Sequence, residues 1–275
     1  MKTIKFIKMA GAGNDFLIID APKEKINLKR LAIKACDRTN GIGADGLIIF
    51  DKSATADFRM RIINADGSEA EMCGNGARCM AAYIVRHKKP RAKTFSLETL
   101  AGQLEAKAAG EIADVRLSDP TDYRPDISIE INNRDLTMHY IDTGVPHVII
   151  PVQGLADFDV PAIGRQIRFH EEFMPRGTNV NFVEVLQQDL VDCRTYERGV
   201  EDETKACGTG SVAAAIVSYL QLYPGIINKN GARMRVRTHS GEILQVRFDI
   251  NDCTVSNVHL KGSAKFIARG EYYYS

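Results

Sequence analysis

Short runs in which apolar and polar residues alternate recur along the chain, among them FRMRI (58–62), MRVRT (234–238) and EILQVRF (242–248). A period of two places one set of side chains inward and the other toward solvent, so these runs predict half-buried antiparallel strands, with Gly and Asp turns between them. Two segments break the pattern. GARCMAAYIVRH (76–87) stops before Pro90, and GSVAAAIVSYLQLY (210–223) stops at Pro224-Gly225; both are small or apolar almost all round. A helix without a polar face is a buried helix. The economical architecture is α/β of the α+β type, in two pseudo-symmetric domains, each a curved, mostly antiparallel sheet wrapped around a central helix.

The order of events repeats. GNDFLIID (13–20), FRMRIINADG (58–67), Cys-Gly-Asn-Gly (73–76), a helix and ETLAGQLEA (98–106) are followed by TNVNFVEV (178–185), CRTYERG (193–199), Cys-Gly-Thr-Gly (207–210), a helix and RTHSGEILQV (237–246). The spacing from Cys73 to Cys207 nearly equals that from Thr99 to Thr238, each threonine opening Thr-x-x-Gly. In this alignment Asn179 echoes Asn14. A duplicated domain is expected: residues 1–118, completed by 262–275, and residues 119–261. The join falls near LSDPTDYRPD (117–126), where Pro120 and Pro125 interrupt strand patterning.

The charge balance, 36 basic against 35 acidic side chains in 275 residues, offers no basic stripe and so no nucleic-acid or anionic-membrane partner. A small-molecule partner is expected instead. The opening MKTIKFIKMAGAGNDF interleaves lysines with short apolar runs, unlike a signal peptide or membrane span, which predicts a cytoplasmic protein. Cysteines 36, 73, 79, 193, 207 and 253 form no CxxC pair and no zinc-like spacing with histidine, so no metal is expected and the thiols should be free.

Both Cys-Gly-Xaa-Gly motifs open a helix. First-turn N–H groups lack partners within the helix, and the helix dipole adds partial positive charge there, so a thiolate is stabilised and its pKa falls. Glycines let the same amides approach a carboxylate closely. Two such mouths on either side of a cleft suit inversion of a stereocentre: one group removes a proton and the other delivers one to the opposite face. Amides donated to the substrate's α-carboxylate would stabilise the carbanion.

The set GAGNDF, NADGSEAEMCGNGARC, GVPH, GTNVNF, YERG and ACGTG, in this order over nearly the full length, resembles the diaminopimelate epimerase family of pyridoxal-phosphate-independent amino-acid epimerases. The resemblance implies two pseudo-symmetric domains, no cofactor, a homodimer, and interconversion of LL- and meso-diaminopimelate for lysine and cell-wall synthesis. It places the catalytic cysteines at Cys73 and Cys207. Substrate contacts fall on Asn14, Asn64, Gly74, Asn75, Asn179, Glu197, Arg198, Gly208 and Thr209. The resemblance also places the active-site histidine at His147, and His147 and Glu197 are expected to act as supporting acid/base groups that tune thiol protonation.

Three positions depart from the family pattern: Val145 in GVPH where many members carry Asn, one extra residue in GVEDETKA (199–206) near Glu201 and Asp202, and Gly46 where some relatives carry Gln. They bear on which side chain is accepted, and leave open a racemase for another amino acid such as histidine or proline. A thiol–disulfide redox protein and a noncatalytic amino-acid-binding module are the readings from other classes. For a lone cysteine the ordinary reading is a buried, inert thiol; Cys36, Cys79, Cys193 and Cys253 take it, while duplication of the motif sets Cys73 and Cys207 apart.

Overall fold

The computed structural model describes residues 2–22 and 24–274. In chain order its elements are β1 (Lys2–Gly11), β2 (Asn14–Asp20), α1 (Leu28–Cys36), β3 (Gly46–Asp51), β4 (Phe58–Asn64), β5 (Glu69–Ala70), α2 (Gly74–His87), β6 (Thr94–Thr99), β7 (Gly102–Ala109) and β8 (Ile112–Arg116). There follow β9 (Thr121–Ile131), β10 (Arg134–Asp142), β11 (Pro146–Pro151), α3 (Val160–Arg168), β12 (Asn179–Gln187), β13 (Leu190–Glu197), β14 (Asp202–Thr204), α4 (Gly208–Leu222), β15 (Lys229–Thr238), β16 (Ile243–Asn251), β17 (Thr254–Ser263) and β18 (Lys265–Tyr274). The chain divides into two compact units, Met1–Arg116 with Lys261–Ser275, and Leu117–Leu260.

In the first unit β18, β1, β2, β3, β4, β6, β7 and β8 pair in that order; β2–β3 and β4–β6 are parallel and the rest antiparallel. The sheet curves around α2, which touches β1 to β4, β7 and β8. Eleven consecutive residues of α2, Gly74–Ile84, are buried, as an all-round apolar helix requires. The other face of the sheet is covered by α1. Asn27 caps that helix by accepting from Arg30 N at 3.0 Å, and Leu31, Ala32, Ala35 and Cys36 form its buried stripe. Covered on both faces, β2 and β3 carry the continuous apolar runs FLII and LII, with Leu17, Ile19, Leu47 and Ile49 packed toward α1.

The second unit repeats this plan. Strands β9 to β13, then β15 and β16, pair in order, with β11–β12 and β13–β15 parallel. Helix α4 packs on β10 to β13, β15 and β16. Helix α3, capped by Asp159 accepting from Ala162 N at 3.1 Å, takes the place of α1.

Three sequence expectations change. Outer helices α1 and α3 add a layer that strand alternation did not announce. Pro125 does not interrupt a strand: β9 runs through it, pairing with β10 past two register irregularities, with Asp122 and Asp126 at positive φ. Proline is tolerated where the ladder is already broken by bulges. The echo of Asn14 in Asn179 also fails. β2 answers to β11 and β3 to β12, so Asn179 occupies the place of Gly46: Phe16 pairs with Gly46 in one unit, and His147 with Asn179 in the other.

Candidate active site

Cys73 and Cys207 are the N-cap residues of the two equivalent helices, α2 and α4, with the same extended backbone (φ −143°, ψ 119° and φ −114°, ψ 119°). Their surroundings differ.

In the first unit Cys73 is half-buried, and its side chain makes no capping hydrogen bond to α2. Gly74 and Asn75 are buried beneath it. Asn75 Nδ2 donates to Asn14 Oδ1 at 2.6 Å, and Arg78, wholly buried, donates from Nη2 to Asn75 Oδ1 at 2.9 Å. Asn14 Nδ2 in turn donates to Asp45 Oδ2 at 3.0 Å. Arg38 bridges Asp15 and Asp45, both at 2.7 Å. Burial works against the Asp15 carboxylate, but hydrogen bonds from Arg38 and Lys8 outweigh it and hold its pKa below the ordinary value. Asn14 and Asn75 are therefore pinned by a charged cluster behind them. Asn64, by contrast, is exposed at the end of β4 and donates to Ser68 Oγ at 3.0 Å within a tight turn.

In the second unit Cys207 is buried. Its Sγ accepts from Gly210 N at 3.4 Å and lies 3.5 Å from Thr209 Oγ1. Thr209 Oγ1 is 3.0 Å from His147 Nε2, and Asn181 Nδ2 is 3.0 Å from His147 Nδ1. Burial first, then the positive charge of Arg198, pushes the His147 pKa down to about 3, so the ring is neutral. Burial and the negative charge of Glu197 push the Cys207 thiol well above its usual value, against the donors Thr209 and Gly210. The expectation that a helix mouth depresses the thiol pKa thus fails at Cys207, because desolvation outweighs the helix terminus. Burial raises Glu197 as well. Asn179 bridges Pro146 O at 3.0 Å and Arg198 N at 2.9 Å, and Arg198 Nη1 donates to Arg176 O at 2.9 Å.

The unusual positions are now placed. Glu201, at φ +59°, accepts from Arg168 of α3 at 3.0 Å and from Gly199 N at 3.0 Å, so the extra residue ties its turn to the outer helix. Gly46 is tightly seated: a Cβ there would meet Ile63 O at 3.0 Å. Sequence reasoning missed Arg78, Asp45, Thr195 and Asn181. The last was readable, because it lies two residues from Asn179 on one strand and so on the same face.

None of the six cysteines forms a disulfide. Among the described residues no group of three or more His, Cys, Asp or Glu is placed to hold a metal ion, and no described helix is long and apolar enough to cross a membrane.

Two repeated units, each a curved sheet around a buried central helix, define a class of fold found in several solved structures. A phenazine biosynthesis protein of the PhzF family from Bacillus anthracis superposes with a TM-score of 0.76 at 20% identity, covering 100% of both chains. A hydroxyproline epimerase from Agrobacterium vitis, with bound trans-4-hydroxy-L-proline, gives 0.67 at 14% identity over 98% of this chain and 92% of that one. At sequence level the profile of the diaminopimelate epimerase family matches residues 6–118 and 139–266, and the chain belongs to that family. Diaminopimelate epimerase of Chlorobaculum tepidum is 42% identical over 95% of this chain and 98% of its own, and that of Aquifex aeolicus 40% over 97% of each.

Proposed function

We propose that this protein is an isomerase that interconverts LL- and meso-diaminopimelate by two-thiol proton transfer. Cys73 and Cys207 act on opposite faces of the α-carbon, one taking its proton while the other supplies a proton. The observation that carries this reading is the recurrence of a thiol at the N-cap of both central helices, in a chain of this family. A half-buried Cys73 suits the thiolate role and a Cys207 held neutral suits the acid role for one direction; the reverse direction exchanges them.

The substrate's α-carboxylate would be received by first-turn amides at Gly74, Asn75, Gly208 and Thr209, where partnerless N–H groups and helix dipoles stabilise the negative charge that develops on deprotonation. Asn14, Asn64, Asn179, Glu197 and Arg198 supply the remaining contacts, Arg198 as a carboxylate grip and Glu197 as an amine partner. Glu197 and His147 tune thiol protonation. No step in this scheme calls on a cofactor. The protein would act as a homodimer in the cytoplasm, where reducing conditions keep both thiols available.

The test is to incubate reduced protein separately with LL-diaminopimelate, proline, hydroxyproline and histidine, and to resolve the stereoisomers. Formation of meso-diaminopimelate alone is expected. Inversion of another amino acid in its place would transfer the reaction to a different substrate, and activity that rises on oxidation would overturn the thiol chemistry.

A further inference from the structure

Behind Cys207 lies a polar group of three side chains, His147, Asn181 and Thr195, all buried, on the adjacent strands β11, β12 and β13. We propose that Asn181 is a positioning residue that fixes the tautomer of His147 and thereby turns the Thr209 hydroxyl proton toward Cys207 Sγ. This rests on the proton-transfer role proposed above for Cys207.

The hydrogen bonds have a forced direction. Asn181 Nδ2 lies 3.0 Å from Val148 O, a carbonyl that can only accept, so that end of the amide is the donor. Its other end, Oδ1, accepts from Thr195 Oγ1 at 2.9 Å. The second hydrogen on Nδ2 meets His147 Nδ1 at 3.0 Å, which makes Nδ1 the bare nitrogen of a neutral ring. The ring proton is therefore on Nε2 and is donated to Thr209 Oγ1 at 3.0 Å. A hydroxyl that accepts there directs its own hydrogen elsewhere, and Cys207 Sγ stands 3.5 Å away.

Gly210 N–H, at 3.4 Å, is the second donor to the same sulfur. Two donors complement a thiolate better than a thiol. When Cys207 gives its proton to the substrate carbon, the new sulfur lone pair is met by Thr209 and Gly210, and no proton leaves Thr209 or His147. His147 in this scheme orients and does not titrate. The second glycine of Cys-Gly-Thr-Gly gains a specific reason: a Cβ at Gly210 would lie 2.4 Å from Asn181 Oδ1 and 3.3 Å from Cys207 Sγ. The motif is shaped around the amide behind it.

The test reads the imidazole directly. In ¹⁵N-labelled protein the His147 signals, assigned by their loss in His147→Gln, should report a protonated Nε2 and a bare Nδ1. Asn181→Asp, whose carboxylate can only accept, should move the proton to Nδ1. With LL-diaminopimelate that variant should lose at least about tenfold in kcat, less than the ~10²–10³ of deleting a direct oxyanion donor, with KM little changed. A wild-type His147 protonated on Nδ1 would overturn the proposal, even if Asn181→Asp fails to fold. So would a shifted tautomer with unchanged kcat. Because the tautomer is read without turnover, absence of epimerisation would count against the function and leave this assignment standing on its own result.

Discussion

The two helix mouths share a motif, a backbone conformation and a place in the topology, yet the strands behind them are chemically opposite. Register alignment sets Phe16, Ile48 and Ile62 of the first unit in the positions of His147, Asn181 and Thr195 in the second. Where a Cβ on Gly210 would meet the Asn181 amide, one on Gly76 would meet Ile48 Cδ1 at 3.1 Å and Ile62 Cδ1 at 3.4 Å. One thiol is backed by hydrocarbon and the other by a hydrogen-bonded relay. The two helix starts are equivalent in backbone and topology, and the side chains packed behind them are not.

The comparison can be broken most forcefully at the thiols themselves. Cys73→Ala and Cys207→Ala should each lower epimerisation by about 10²- to 10⁴-fold or more while leaving thermal unfolding nearly unchanged. A single variant with near-normal turnover would remove the need for both halves. Resting inequality is read by site-resolved alkylation: at neutral pH iodoacetamide should label Cys73 at least about tenfold faster than Cys207, whose thiol is buried and held neutral. Faster labelling of Cys207 would invert the assignment.

A smaller effect separates the glycines. Gly210→Ala should destabilise by about 1–3 kcal/mol, because the new methyl collides with a fixed amide, and Gly76→Ala by less, because an isoleucine methyl can yield. Denaturant midpoints at constant m-value measure both. A pH-dependent effect is expected in acid. His147 has a folded pKa of about 3, below its ordinary 6.5. Between these values the unfolded chain binds a proton that the folded one refuses, so stability falls as pH drops through that window. His147→Gln should flatten this part of the pH–stability curve relative to wild type, and an identical curve would show the ring already charged.

How far the sequence reaches is clear from particular residues. Both Cys-Gly-Xaa-Gly helix starts and the alternating strands around them are legible because each is a local signal, a helix without a polar face or a period of two. Helices α1 and α3 are nine residues each, too short for their stripes to stand out, and they are held by the sheet face they cover. The register of the repeat is hidden in the sequence, where Asn14 and Asn179 are the same residue type ahead of similar apolar runs; strand pairing shows that Asn179 belongs with Gly46. Asn64 and Glu197 are the final residues of the equivalent strands β4 and β13. The elevation of the Cys207 thiol was not legible, since it depends on burial that no motif encodes.

The central claim is that two groups, one per unit, handle the proton on opposite faces of carbon. Run in heavy water and stopped at low conversion, the reaction on LL-diaminopimelate distinguishes this from a single base. The account predicts that meso product carries solvent deuterium at the inverted carbon while recovered LL substrate remains protiated. Product that retains the substrate's own hydrogen, or equal deuterium in substrate and product from the start, would contradict it.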